Sequence, residues 1–70
     1  LEERDNAAAE LEQIAHHGDP HAQYIMGLLF RDGGLLVPDA EQAKRWYIAA
    51  ARQGQDEALE KCRAEGLSWE

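Results

Sequence analysis

The sequence predicts an all-α fold in which four antiparallel helices stack as helical hairpins. Three observations support this. Gly and Pro interrupt the chain at intervals, apolar residues between them recur at helical spacing, and no segment alternates apolar and polar residues as a strand would. The 70 residues allow one domain with a thin core, so we expect marginal stability unless neighbouring segments help.

The first predicted helix runs from Leu1 to His17 and ends at Gly18, because glycine tolerates the left-handed conformation that follows a helix. Its apolar residues follow the i, i+4, i+7, i+8 spacing of one helical face: Ala7, Leu11, Ile14 and Ala15. Asp19 then caps a second helix, with Pro20 at the first helical position, where its missing N–H costs nothing. This helix should extend to about Arg31.

The segment Asp32-Gly33-Gly34 should end the second helix, and Leu35 to Pro38 should form a short apolar connector. Asp39 is the next predicted N-cap and forms a capping-box-like pair with Gln42. The third helix is predicted from Ala40 to Gln53 and ends at Gly54. The fourth is predicted from Glu57 to Glu65, with Asp56 as its cap and Gly66 as its end.

The chain also repeats itself at an offset of 36 residues. The identical pairs fall at face and cap positions: Ala7 with Ala43, Ala15 with Ala51, Gly18 with Gly54, and Ala22 with Ala58. A period of this length with two helices per unit is typical of a solenoid. Small residues should let the helices approach closely (Ala22, Gly27, Ala43, Ala50 and Ala51), while Met26, Phe30, Trp46 and Tyr47 fill the remaining volume.

The stretch from Ala22 to Gly54 resembles the Sel-one-like repeat, a relative of the tetratricopeptide repeat. The matching positions are Ala22, Met26-Gly27, Phe30, Gly33, Leu36, Asp39, Ala43, Trp46-Tyr47, Ala50-Ala51 and Gly54. Leu35 departs from the pattern because it stands where a second loop glycine belongs. The resemblance implies a tetratricopeptide-like α-α superhelix and an adaptor or scaffold for protein complexes, such as those of bacterial signalling.

On this interpretation residues 1–70 form one helical-repeat domain. Residues 1–18 correspond to the second helix of a preceding unit, 19–54 to a complete repeat, and 55–70 to the first helix of a following unit or to a capping helix. Arg63 stands where Gly27 stands in the complete unit, which favours a capping helix with a polar outer face.

The first helix of each unit should line a concave surface that binds a peptide or partner protein. The predicted contact residues are His21, Tyr24, Leu28 and Arg31 on the second helix, and Glu57 and Glu60 on the fourth, where Ala64 and Leu67 share the same face. Such a groove would favour a basic and apolar peptide. Two alternatives stay open: Tyr24 and Leu28 simply pack against the fourth helix, and Glu57 and Glu60 form a solvated acidic face.

Charge and residue content argue against other functions. Fourteen acidic residues against seven basic ones give a net charge of −7, which disfavours nucleic acid and anionic membranes. Cys62 is alone, so no intrachain disulfide is expected. We predict no enzyme activity and no cofactor, since no nucleophile or phosphate-loop pattern occurs. The compartment stays open between cytoplasm and periplasm.

The histidines and the apolar residues near the end of the chain each allow more than one interpretation. His16, His17 and His21 with Asp19 are the only metal-ligand cluster in the sequence, but Gly18 and Pro20 separate them, so we predict no metal site. Trp69 either covers the open end of the array with Leu67 or forms an interface toward a missing repeat or a second copy. The hypotheses are therefore an interaction module, a structural segment of a longer array, or a histidine-mediated metal-binding module.

Overall fold

The chain forms four helices joined by short turns: α1 (Glu2–His16), α2 (Pro20–Asp32), α3 (Ala40–Arg52) and α4 (Asp56–Glu65). This computed structural model describes residues 2–33 and 37–69, and side chains from residue 9 onward. These ranges contain no strand, so the all-α prediction is confirmed. None of their helices is long and apolar enough to cross a membrane. Leu1, Gly34, Leu35 and Leu36 lie outside the described residues, as does the side chain of Ala7.

The helices pack as two layers of alternate elements. Consecutive helices contact each other, with α2 between α1 and α3 and with α4 against α3. Contacts also join alternate helices: the His16 ring of α1 meets the Trp46 ring of α3 at 5.0 Å, and Arg31 of α2 pairs with Glu65 of α4. One layer therefore contains α1 and α3, and the other contains α2 and α4.

The helix starts follow the predicted caps at two of three places. The Asp19 carboxylate accepts from Ala22 N at 2.9 Å, and the Asp39 carboxylate accepts from the first-turn N–H groups of α3. The capping-box prediction for Asp39 and Gln42 is only half right. The Asp39 N–H donates instead to the Phe30 carbonyl at 2.9 Å, which ties the start of α3 to the last turns of α2.

The predicted cap of α4 is wrong. Asp56 is already the first helical residue. Gln55 before it is extended (φ −67°, ψ 118°), and its side-chain oxygen accepts from Ala58 N at 2.6 Å. Gln55 is the equivalent of Asp19 at the 36-residue offset, and both side chains accept from the N–H of the residue three positions on. The helix ends differ from prediction by one residue: α1 and α3 stop at His16 and Arg52, while α2 continues to Asp32.

The core consists of two clusters that share Phe30 at their border. The smaller joins α1 to α2 through Ala15, Ala22 and Met26. The larger joins α3 to α4 and contains Ala43, Tyr47, Ala50, Ala51, Ala58 and Cys62. Gly27 allows the closest approach, because a Cβ placed there would lie 2.6 Å from ring atoms of Tyr47. The predicted pairing of small with large residues is confirmed, although Phe30 and Trp46 are only partly buried.

The 36-residue equivalence extends to the backbone. In the α1–α2 turn Asp19 N donates to Ile14 O at 3.3 Å, and in the α3–α4 turn Gln55 N donates to Ala50 O at 3.2 Å. Buried residues correspond as well, since Ala15, Ala22 and Met26 match Ala51, Ala58 and Cys62 position by position. Met26 and Cys62 differ in residue type, so the sequence comparison does not reveal this pair, yet both side chains are fully buried.

The segment after α4 folds back over the core. Leu67 N donates to Cys62 O at 2.8 Å, Arg52 Nε donates to Trp69 O at 3.1 Å, and the Leu67 and Trp69 side chains pack against the larger cluster. Gly66, with φ +70°, makes the turn. The prediction that Leu67 continues the α4 face is therefore wrong, because the helix ends at Glu65.

Candidate protein-binding surface

The predicted contact residues of α2 lie along one side of the helix, as their spacing requires. His21 and Arg31 are exposed, while Tyr24 and Leu28 between them are partly buried. Tyr24 and Leu28 pack against the larger core cluster, which includes Ala58 and Cys62 of α4. Part of each side chain therefore packs against the core, as the alternative of packing against the fourth helix expects, and the rest is exposed to solvent.

The structure brings Tyr24 together with the two predicted carboxylates of α4. Partial burial raises the pKa of the Tyr24 phenol, and the nearby carboxylates of Glu57 and Glu60 raise it further, because they disfavour a phenolate beside them. Glu57 and Glu60 are themselves exposed. The phenol and the two carboxylates therefore form one acidic, partly apolar patch between α2 and α4.

Arg31 has a partner that the sequence did not indicate. Its guanidinium contacts the Glu65 carboxylate, and both side chains are only partly covered. The charge of Arg31 is therefore largely neutralised, so the patch around Tyr24 keeps a negative charge. Glu65 follows Glu57 by eight residues, a spacing that places the two on one helical face, and this signal could have identified it.

Tyr47 lies beneath this ion pair. Its side chain is fully buried, and among the described residues its hydroxyl has no hydrogen-bond partner. Burial raises the pKa of this phenol, and the nearby Arg31 guanidinium acts in the opposite direction. Cys62 is also fully buried, and burial followed by the charge of Glu65 raises the pKa of its thiol. A thiol held protonated in this way is inert as a nucleophile.

A polar cluster that sequence reasoning missed connects α3 to the first turn. Gln53 Nε2 donates to the Gly18 carbonyl at 2.7 Å and to Gln23 Oε1 at 3.0 Å. Gln23 Nε2 in turn donates to the Ala15 carbonyl at 3.0 Å, although Gln23 is only 8% exposed.

The histidines separate, as expected from the turn between them. His16 packs edge-on against Trp46 and lies 3.6 Å from the Glu12 carboxylate. His17 lines a shallow open pocket with neighbouring residues, and His21 is exposed on α2. Among the described side chains, those of residues 9–33 and 37–69, no three His, Cys, Asp or Glu are grouped as metal ligands.

Comparison with known proteins gives one informative relative. No family model matches the chain, and no solved structure matches it. The chain is similar to chitin synthase regulatory factor 4 of Schizosaccharomyces pombe, with 37% identity over 59 residues. The match covers 84% of this chain but 9% of the length of that protein. By its name this fungal relative is a regulatory factor.

Proposed function

We propose that the chain is a protein-interaction module built from helical-hairpin repeats of the Sel-one-like, tetratricopeptide-related type. Its binding surface, called here the α2/α4 face, consists of His21, Tyr24, Leu28, Arg31, Glu57 and Glu60. The 36-residue equivalence of the two turns and their buried residues supports the repeat interpretation. The arrangement of alternate helices in two layers is also typical of such superhelices.

The observation that carries the proposal is the Tyr24 phenol beside the carboxylates of Glu57 and Glu60. An aromatic ring next to two negative charges suits a lysine or arginine side chain, through ionic contacts and through the face of the ring. Leu28 supplies an apolar contact next to it. The ligand class is therefore a peptide that carries a basic residue adjacent to apolar ones.

The relative supports a role through protein contacts. By its name the relative regulates chitin synthase, a role that protein contacts can serve, and the matched segment is 9% of its length. We infer that this chain likewise contributes a binding surface to a larger regulator. A specific observation also favours the second candidate, a structural segment of a longer array: Ile14 on α1 is 49% exposed where its equivalent in α3 is buried.

The test is titration of the protein with labelled short peptides that contain Lys or Arg between apolar residues, followed by fluorescence anisotropy. The double variant Glu57→Gln with Glu60→Gln keeps the side-chain size and removes two charges. We expect it to weaken binding by about tenfold or more, which corresponds to about 1.4 kcal/mol.

The matched control is Glu10→Gln with Glu12→Gln on α1, which changes the net charge equally and should leave affinity within about twofold, well under 1 kcal/mol. Alanine at Tyr24 and Leu28 should also weaken capture of a partner, provided circular dichroism shows that the variants fold. Equal binding by both charge variants would remove the α2/α4 face from consideration, and absence of any peptide binding would favour the purely structural role.

A further inference from the structure

A buried hydroxyl lies beneath the α2/α4 face without an acceptor. Tyr47 is fully buried, and within residues 9–33 and 37–69 no group forms a hydrogen bond with its hydroxyl. The Tyr47 ring lies beside that of Tyr24, with the ring centroids 6.0 Å apart. Folded proteins leave few buried polar groups unpaired, because each one costs stability. The Tyr47 hydroxyl is therefore a candidate for contact with a ligand.

The Arg31 guanidinium and the Glu65 carboxylate lie next to this hydroxyl and contact each other. After burial, which raises the pKa of the Tyr47 phenol most, the guanidinium lowers that pKa and the carboxylate raises it. Arg31 only donates hydrogen bonds, so it cannot accept the hydroxyl proton. Glu65 has acceptor atoms, but its carboxylate is held at Arg31 and forms no hydrogen bond with Tyr47.

The Arg31–Glu65 ion pair can be exchanged at little cost. The two side chains are 47% and 28% exposed, and an ion pair so open to water contributes little to stability. If a second carboxylate takes the place of Glu65, the guanidinium keeps a partner and Glu65 turns toward solvent from the end of α4. The second carboxylate is favoured only if it also accepts from the Tyr47 hydroxyl, a charge-assisted bond that Glu65 does not make.

We propose that the α2/α4 face contains a subsite for an acidic residue, in which a glutamate side chain of the bound peptide replaces Glu65 at Arg31 and accepts from the Tyr47 hydroxyl. Arg31, Tyr47 and Glu65 are called here the Arg31 subsite. Glu65 competes with the ligand from within the chain. The inference deepens the proposed function and rests on it, because the same peptide places its basic residue beside Tyr24.

The ligand group is a single carboxylate on a short flexible stem. One guanidinium balances one negative charge, and a chain with a net charge of −7 disfavours a dianion such as a phosphate. The Tyr47 hydroxyl is buried, so the acid must reach between α2 and α4 while the peptide backbone stays outside. A glutamate side chain does this, whereas a C-terminal carboxylate would bury unpaired backbone groups with it.

The position of the two charged contacts sets the spacing within the peptide. Tyr24 and Arg31 lie two turns apart on α2, which is about 10 Å along the helix axis. Three residues of a polyproline II peptide cover about 9 Å and return to the same side of the chain. The peptide should therefore carry Lys or Arg three positions from Glu, with apolar residues between them to contact Leu28.

The test compares two peptides in fluorescence anisotropy titrations. Both carry a lysine followed by apolar residues, both are blocked at their ends, and they hold either glutamate or glutamine three positions from the lysine. We expect the glutamate peptide to bind the unaltered protein about fivefold more tightly or better. Tyr47→Phe should reduce this preference to about twofold or less, because Arg31 then only exchanges one carboxylate for another.

Glu65→Gln distinguishes competition with the ligand from a purely structural role. Loss of the internal competitor should raise the affinity for the glutamate peptide by about fivefold and leave that for the glutamine peptide within about twofold. The matched control is Glu10→Gln at an exposed carboxylate of α1, which should change neither affinity by more than about twofold. The unfolding midpoint of Tyr47→Phe should equal or exceed that of the unaltered protein, because the lost hydroxyl has no acceptor in the free chain.

A preference for glutamate that survives Tyr47→Phe would overturn the proposal, as would weaker binding of the glutamate peptide by Glu65→Gln or a clear fall in the midpoint of Tyr47→Phe. Equally tight binding of a glutamine peptide with a free C-terminal carboxylate three positions after the lysine would overturn the choice of a side chain. Binding of the blocked glutamine peptide without any preference for glutamate would refute the Arg31 subsite alone. Absence of binding by every peptide would refute the proposed function and this inference together.

Discussion

Gly27 sets the distance between α2 and α3. A methyl group at this position would meet the Tyr47 ring at 2.6 Å, and Tyr47 is fully buried and cannot move aside. The backbone of Gly27 is helical, so no special φ angle is involved. Its role is therefore steric, as the pattern of small residues predicted.

Gly27→Ala is predicted to destabilise the protein. Overpacking costs about 1–3 kcal/mol, while the better helix propensity of alanine returns roughly 1 kcal/mol, so we expect a net loss of about 1–2 kcal/mol. Chemical denaturation monitored by circular dichroism measures it. Ala64→Gly on the exposed side of α4 reports the propensity effect alone, and a gain in stability for Gly27→Ala would contradict the steric interpretation.

Gln53 acts at the scale of whole elements, because its amide joins the end of α3 to the turn between α1 and α2. Gln53 and Gly18 are 35 positions apart in the chain, so no local sequence pattern predicts their hydrogen bond. The same holds for Arg31 and Glu65, which join α2 to α4. Helix starts and ends were predictable because they depend on neighbours in sequence, whereas these contacts depend on which helices lie side by side.

Gln53→Ala is expected to lower the free energy of unfolding by about 1–2 kcal/mol, since it leaves the Gly18 carbonyl and the Gln23 amide oxygen without their donor. Gln53→Glu should cost at least as much, because a carboxylate would face two acceptors. Thermal unfolding provides the measurement. Gln13→Ala, at an exposed glutamine of α1, is the control, and a similar small loss at both positions would show that the cluster contributes nothing.

At the scale of the whole molecule, the core shared by α2, α3 and α4 contains two groups that ionise in alkaline solution. Burial raises the pKa of Cys62 above its ordinary 9.0 and that of Tyr47 above its ordinary 10.0. Both groups bind their protons more tightly in the folded than in the unfolded chain. Their contribution to stability is therefore complete below those ordinary values and is lost as pH rises through the folded-state values.

We predict that the free energy of unfolding begins to fall above about pH 9 and falls more steeply above about pH 10. Tyr47→Phe should reduce the slope of the free energy of unfolding against pH by up to about 1.4 kcal/mol per pH unit above about pH 10. Cys62→Ala should reduce the smaller slope that begins above about pH 9. Denaturation series between neutral and alkaline pH measure both slopes. An unchanged slope in Tyr47→Phe would mean that Tyr47 ionises as easily in the folded chain as in the unfolded one.

The candidate site shows where prediction from sequence reached its limit. Spacing alone placed Tyr24 and Leu28 on one face and brought Glu57 and Glu60 to the matching face of α4. It left open whether Leu67 and Trp69 fold back onto the core, and it did not show that Glu65 neutralises Arg31 or that Gln55 rather than Asp56 caps α4. Each of these depends on contacts between helices or on the path of a turn.

The sequence by itself determined the four helices, most of their caps and glycine ends, and the 36-residue period, because capping, backbone conformation and hydrophobic spacing are local properties of the chain. The tertiary structure alone decided that Ile14 is exposed while its equivalent Ala50 is buried. Burial depends on what lies against a helix: α3 packs against both α2 and α4, whereas α1 packs mainly against α2.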